Sequence, residues 1–367
     1  MPPLPVIVVG TGISGVACAR ALAARHIPVV LRDRSPVLGG RMASATLHDR
    51  RVDLGASYFT CDCPEFEAVV TGWLDRGLAR PWTDEFAVRT TDGWSPAKPG
   101  PLRYGSARGL RTLVEDLAAG IPVETGAGVR EIGRAPGGQG APTADGGPTA
   151  DGLPTVDGVP TVDGVPARAV VLAMPDPQAA AILGPDLVDE RAVVDGRPWV
   201  PVLALAAGWA DRVWPELDGV FVHDNPVLRW VADDGRRRGD GAPVLVTHST
   251  PEFARTRMGD PPAGSGAGAG AATPPGPDER PRAEAPLEPV EEMLAALCRV
   301  MEIDRPPDWT HLHRWRFSAP AEARLARYHL GPALVGLCGD GWGRPPRVEN
   351  AFLSGHALGV ALAERLS

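Results

Sequence analysis

Gly10, Gly12 and Gly15 form a G-x-G-x-x-G, and an acidic residue, Asp33, follows 23 positions after the first glycine. That spacing suits the binding of a dinucleotide, because each residue type has its own physical job. Gly10 makes a tight turn, Gly12 lets the backbone approach a diphosphate, and Gly15 lets helix and strand pack closely. A helix opening at this loop offers unpaired N–H groups and the positive end of its dipole to the phosphates. The Asp33 carboxylate then stands where it can accept hydrogen bonds from the adenosine ribose. A second run, GSGAGAGA at residues 264–271, also fits a loose G-x-G-x-x-A. It lies among prolines with no strand before it, and is expected to be linker.

Other reactive side chains are scattered. His248 ends an apolar run and can orient an amide, act as a base, or sit in the core bonded to backbone. Trp230 and Trp315 can wall a flat substrate or simply fill the core. Arg236, Arg237 and Arg238 can attract a phosphorylated substrate, but Asp233, Asp234 and Asp240 lie beside them, so a solvated loop is expected. His311 and His313 have a metal-like spacing without a third ligand, and Cys61 and Cys63 lack a partner pair, so neither predicts a metal site. Lys98 is the only lysine of the chain and falls in a Pro/Gly-rich stretch expected to be loop. Lysine-assisted catalysis is therefore not expected.

The elements that must position these groups follow from hydrophobic patterning. Residues 6–9 are an apolar run suited to a buried parallel strand, followed by a helix over 16–25 and a second strand over 28–31. A β-hairpin is expected over 41–55, turning near Asp49 and Arg50, then a helix over 64–76 and mixed short strands to Gly100. Residues 109–119 read as helix, 123–132 as extended, and 170–174 as a buried strand closed by Pro175. Further strands are expected at 201–210, 228–231, 243–248 and 334–337, with helices at 289–301 and 352–366. Two low-complexity tracts interrupt this order. A hexapeptide, PT(A/V)DG with one variable residue, repeats up to Gly164 and is expected to be an expanded hairpin loop (141–165), tolerated because loop closure grows slowly in cost with length. The tract 259–289, rich in Pro, Gly and Ala, is expected to be disordered.

The fold class expected is α/β: a Rossmann-type FAD-binding domain with an inserted α+β substrate domain on a mainly antiparallel sheet. Segments 1–60, 104–195 and 325–367 are assigned to the first and 61–103 with 196–324 to the second. A net charge of −8 argues against nucleic acid or an anionic membrane as partner. No apolar run approaches the ~20 residues that span a bilayer. The N-terminus carries no targeting signal, and five unpatterned cysteines suit a reducing, cytoplasmic setting. The lysine-poor, Arg/Ala/Gly/Pro-rich composition points to a GC-rich bacterial genome, and the chain is expected as a monomer or homodimer.

Three segments favour FAD over NAD. LGGRM (residues 38–42) follows the Asp33 strand and pairs flexible glycines, Gly40 among them, with a fixed cation, Arg41. VDLGASYF (52–59) runs into a small-residue turn able to lie along a flat ring. LVGLCGD (334–340) ends a strand in Gly339-Asp340, where a carboxylate can hold the hydroxyls of a ribityl chain, and the helix starting near Val348 aims its dipole at the cofactor. With VVLAMPDPQAAAIL (170–183), VLRWVADDGRRRG (227–239), LVTHSTPEFA (245–254), HRWRFSAP (313–320) and RVENAFLSG (347–355), the chain resembles the FAD-dependent amine oxidase superfamily, and specifically its renalase-like branch.

That resemblance implies non-covalent FAD with its phosphates near Gly12, Ile13, Ser14 and Gly15 and its ribose at Asp33. It implies Arg34, Arg41 and Met42 beside the diphosphate and flavin, Ala56, Ser57 and Tyr58 along the ring, Val129 at the adenine, and Asp340 at the ribityl chain. His248, Trp230 and Tyr58 are the implied substrate-facing, catalytic residues. Leu54 and Ser57 stand where renalase-like proteins often carry His and Gln, and Asp33 where Glu is usual, which leaves the substrate open. The implied activity is an oxidase taking a hydride from a small dihydropyridine or amine donor and delivering electrons to O2 as H2O2. The alternatives are an amine or amino-acid desaturating oxidase, or an FAD-binding sensor or partner-binding protein without turnover.

Overall fold

The structure, a computed structural model, describes residues 3–135, 158–258 and 287–367. The expected α/β fold is present. Its nucleotide-binding half is a six-stranded sheet in the order His329–Leu330, Val335–Leu337, Ala169–Leu172, Val6–Val9, Val29–Arg32, Val123–Glu124. All pairs are parallel except the His329–Leu330 edge. Val6–Val9 and Ala169–Leu172 are wholly apolar because both faces are covered. Val6 and Val8 pack among residues of the helices Ile13–Ala23 and Val348–Leu366, while Ile7 and Val9 face Leu183 and Leu187. Those two helices touch at backbone distance: a Cβ on Gly355 would stand 1.8 Å from Ser14 O.

The second sheet has seven strands, in the order Trp309–Pro320, Trp199–Gly208, Val244–Ser249, Leu228–Asp233, Gly219–Val222, Arg80–Thr90, Gly93–Gly105. It is antiparallel apart from the pair Gly219–Val222 with Arg80–Thr90. Strand periodicity divides its faces. Leu203, Leu205 and Ala207 pack with Met293 and Leu297 of the helix Leu287–Met301, whereas Ala204 and Ala206 meet Val52 and Leu54 of the hairpin Ser44–Leu47/Arg50–Asp53. The hairpin turns at His48 and Asp49, both with positive φ, one residue before the expected position. No helix among the described residues is long and apolar enough to cross a membrane.

Several expectations need correction. The stretch 123–132 is not one strand: Val123–Glu124 edges the large sheet, and Ile132–Arg134 joins a three-stranded sheet with Pro160–Val162 and Val165–Pro166. The last hexapeptide copy is therefore structured, its strand followed by a turn at Asp163 and Gly164. Asp163 Oδ1 accepts from the N–H groups of Arg130 and Glu131, which anchors that copy; the earlier copies lie outside the described residues. The tract 259–286 also lies outside them, while 287–289 already belong to the helix Leu287–Met301. Residues 80–105 form two long strands, so the Lys98 backbone pairs with Phe86 rather than lying in a loop. The helix at the glycine loop opens at Ile13, three residues early, because its first turn closes on Gly12 O.

Candidate active site

A cavity of about 390 Å³ opens where the parallel strands end and meet the second sheet. Gly12, Ile13 and Ser14 reach it after Val6–Val9, and Gly339 and Asp340 after Val335–Leu337. Gly10 has φ +108, and a Cβ there would lie 2.5 Å from Ala173 O. A Cβ on Gly15 would lie 2.0 Å from Gly10 O, whereas one on Gly12 would meet nothing within 4 Å. Two glycines thus tighten the turn and the third faces open space. Ser14 is 5% exposed and lines the cavity, with its side chain against the Cys338 thiol. The open face of Gly12 and the N–H groups of the first helical turn, both on the cavity wall, make a prepared place for an anion.

Asp33 lies behind this loop. Its Oδ2 accepts from Thr11 N and Thr11 Oγ1 at 2.7 Å each, and its Oδ1 from Ser35 N at 2.8 Å. Arg41 and Asp340 form a two-pronged ion pair (2.7 and 2.6 Å), and Arg41 also donates to Ser318 O at 2.9 Å. Gly339 N donates to Ser354 Oγ, which ties the strand end to the last helix. Buried Cys338 is a protonated thiol, its pKa pushed up to about 12 by desolvation, and is not part of the cavity wall.

Gly55, Ala56, Ser57 and Tyr58 form one side of the cavity, held in place by donors from the second sheet. Trp230 Nε1 donates to Ser57 Oγ at 3.0 Å. Leu54 O accepts from Trp315 Nε1 at 2.9 Å and faces His248 Nε2 at 3.1 Å. A carbonyl only accepts, so His248 carries its proton on Nε2 and keeps Nδ1 as an acceptor. Burial first, and then the nearby Arg229, push the His248 pKa down to about 4, so its imidazole is neutral at physiological pH. His248 thus lines the cavity and is at the same time bonded to backbone. Burial also raises the Tyr58 phenol, against the opposing pull of Arg103, so Tyr58 is uncharged.

The arginine run is not a solvated loop. It forms the short helix Asp234–Arg238, in which Arg237 is 0% and Arg238 3% exposed. Arg237 donates to Ser57 O at 3.0 Å and Asp53 O at 3.2 Å and pairs with Asp234. Arg238 holds Asp53 at 3.1 Å and Asp234 at 3.0 Å. Asp234 is desolvated, yet Arg237, Arg238 and Arg50 together hold its carboxyl below the usual carboxylate range. Opposite charges adjacent in sequence satisfy each other here, which a reading of charge as solvated surface misses. The result is a rigid brace under the wall 53–57.

Of the residues expected at the cofactor, Gly12, Ile13, Ser14, Arg41, Met42, Ala56, Ser57, Tyr58, Gly339, Asp340 and Val348 line the cavity, as do His248 and Trp230. Gly10, Gly15 and Asp33 support the loop from behind, and Gly40 packs beside Gly12. Arg34 is exposed outside the cavity, and Val129 packs against the core near Ile7 and Val9. Sequence reasoning missed Arg229, Arg347 and Phe221 in the wall. Arg229 is the extra residue of a β-bulge, since Leu228 pairs with Ser249 and Trp230 with His248. Alternation along a strand cannot reveal that. Arg347 is anchored by Asp62 and by buried Glu349, both at 2.6 Å.

Residues 61–357 match the model of the flavin containing amine oxidoreductases, and residues 8–72 that of the NAD(P)-binding Rossmann-like domains. The chain belongs to the flavin-containing amine oxidoreductase family. Among solved structures the enzyme is similar to an Exiguobacterium protein assigned as a protoporphyrinogen oxidase (12% identity, all of both chains covered, TM-score 0.70). It is also similar to putrescine oxidase bound to putrescine (15%, 99% of each chain, 0.66) and to cyclohexylamine oxidase from Brevibacterium oxydans (13%, all of both chains, 0.66). At these identities the likeness shows the fold and leaves the substrate open. The enzyme is an FAD-dependent oxidoreductase, and its residues fit that cofactor: the open face of Gly12 and the first-turn N–H groups of the helix Ile13–Ala23 suit a diphosphate.

Proposed function

We propose that this enzyme is an oxidase of a flat, dihydropyridine-type hydride donor that carries phosphate, in the manner of the renalase-like branch. One observation carries the reading. The substrate side of the cavity offers the aromatic faces of Tyr58, Phe221, Trp230 and Trp315 with the cation Arg229, and the carboxylate in its wall, Asp340, is already held by Arg41. An amine is a cation at neutral pH and would face Arg229 with no free carboxylate to receive it. A phosphorylated donor has the opposite charge and fits.

FAD, when bound, supplies the two-electron acceptor, and its reoxidation by O2 gives H2O2. In this reading Ser14 and the N–H groups of the first helical turn hold the diphosphate, Asp33 the ribose, Asp340 the ribityl hydroxyls, and Ala56, Ser57 and Tyr58 the ring. Val129 would meet the adenine through its backbone, with Arg34 at the outer edge. Trp230 and Trp315 line the donor's side of the cavity with apolar ring surface. Neutral His248 presents Nδ1 as an acceptor that orients a carboxamide N–H, a positioning task that needs no base. A dihydropyridine loses hydride to become an aromatic pyridinium without releasing a proton, so the absence of a strong base in the wall is no obstacle. Because the ring turns positive in that step, Arg229 serves the phosphate end of the donor and not the ring.

A second reading, a desaturating amino-acid oxidase, draws on the same Arg229 as a partner for a substrate carboxylate. Aerobic turnover separates the two. Dihydro isomers of NAD are expected to yield NAD and H2O2 in a 1:1 ratio, with amines and cyclic amino acids turned over at least about a hundredfold more slowly. Faster turnover of an amino acid would replace the first reading by the second.

A further inference from the structure

On the far side of the Ser44–Leu47/Arg50–Asp53 hairpin lies a second cavity, of about 370 Å³, sharing no residue with the first. Arg50, Arg51, Arg108 and Arg238 line it, against two carboxylates, Glu115 and Asp240. Arg50 is committed to Asp240 at 2.8 Å and Asp234 at 2.9 Å, but Arg51 stands 4.0 Å from Glu115, and Arg108 forms no ion pair among the described residues. Two guanidinium nitrogens, Arg238 Nη1 and Arg51 Nη1, are shut off from water without a hydrogen-bond acceptor. Arg238, only 3% exposed, spends its other nitrogens on Asp53 and Asp234, and a buried N–H left over without an acceptor is costly. Four arginines against two carboxylates, guanidinium nitrogens without an acceptor, and a cavity of ligand size coincide at one place.

We propose that this cavity is a binding site for a phosphate or diphosphate group, taken by Arg51 and Arg108 at the rim and by Arg238 at the floor. Guanidinium forks match oxyanions in geometry, and a phosphate or diphosphate carries enough charge and acceptor oxygens to engage several of them at once. The site has a route to the active site. Arg238 holds Asp53, whose Oδ1 also accepts from Ser44 Oγ and Leu110 N, and Asp53 leads directly into the wall 54–58. An anion at the floor therefore pulls on the group that fixes this wall.

The test is calorimetric titration of the FAD-loaded enzyme with pyrophosphate at low ionic strength, the cofactor's own phosphate site being already filled. With Arg229→Gln, which removes the cation proposed for the substrate's phosphate, one pyrophosphate per chain is still expected, and adding Arg51→Gln or Arg108→Gln weakens it about tenfold. Rim positions are chosen because Arg238→Gln would strand Asp53 and Asp234 in the interior. ADP serves as second titrant: tighter binding than pyrophosphate assigns the group to a nucleotide, equal binding to the free ion, and either result carries the proposal. No saturable binding up to about 5 mM, loss of binding in Arg229→Gln, or binding that the added rim substitutions leave unchanged, would overturn it.

Discussion

In the proposed reading Arg229 sets the charge of the substrate side of the cavity, and it reaches that wall through one extra residue in a strand. In a regular strand it would face away from Trp230; the bulge brings both into the same wall. Arg229→Gln should raise KM for a phosphorylated dihydropyridine about five- to tenfold with kcat within about twofold, because the residue binds the charged end and not the reacting ring. Steady-state kinetics would check this, and an equal fall in kcat would show that the residue acts in the chemical step. His248 offers a contrast. Its place in the cavity wall was legible from the end of an apolar run, but its tautomer depends on Leu54 O, a backbone atom distant in sequence.

At the scale of elements, the active-site wall is a product of bracing. Arg237 joins the carbonyls of Asp53 and Ser57 from a helix that lies some 180 residues later in the chain, and it is paired with Asp234 in the interior. Arg237→Met should cost about 3 kcal/mol of stability and weaken FAD retention, since it leaves the wall untied and removes one of three cations from Asp234. Denaturant unfolding and flavin content after gel filtration measure the two effects separately. The repeat tract makes the opposite case. Ala135 N donates to Val159 O at 2.9 Å, so the ends flanking residues 136–157 already meet. Replacing those residues with Asn-Gly should shift Tm by no more than about 2 °C and leave turnover intact. A large loss would show that the tract supports the fold.

Over the whole molecule, local pattern and long-range pairing were unequally readable. The glycine loop, the parallel strands and the terminal helix follow from apolar runs and turn residues that sit next to each other in sequence. The long strands Arg80–Thr90 and Gly93–Gly105 were hidden because Gly93–Gly105 is the sheet edge and Arg80–Thr90 has a second partner only at Ala87–Arg89, so prolines and polar residues are tolerated where backbone groups have no ladder partner to lose. The buried helix Asp234–Arg238 was hidden because its charges are neutralised by Asp53 and Arg50, residues of a hairpin far away in sequence. Burial also sets the pH response. His248 and His313 both have pKa values lowered from 6.5 to about 4, so the folded state binds fewer protons than the unfolded state between those values. Stability is then complete above about pH 6.5 and falls as pH drops toward 4, by about 2 kcal/mol per histidine at pH 5. Glu190, raised by burial, opposes this with a single group. Urea midpoints at pH 7.5 and 5 should differ accordingly, and the gap should narrow when His248→Gln and His313→Gln are combined.

The most direct test of the proposed chemistry is anaerobic mixing of the FAD-loaded enzyme with borohydride-derived dihydro isomers of NAD, followed at the oxidised-flavin absorbance near about 450 nm. The charge of the pocket predicts rapid bleaching by the phosphorylated dihydropyridine, reversed by air with release of H2O2, and little response to putrescine or other cationic amines. Bleaching by an amine, with none from the dihydropyridines, would contradict the account.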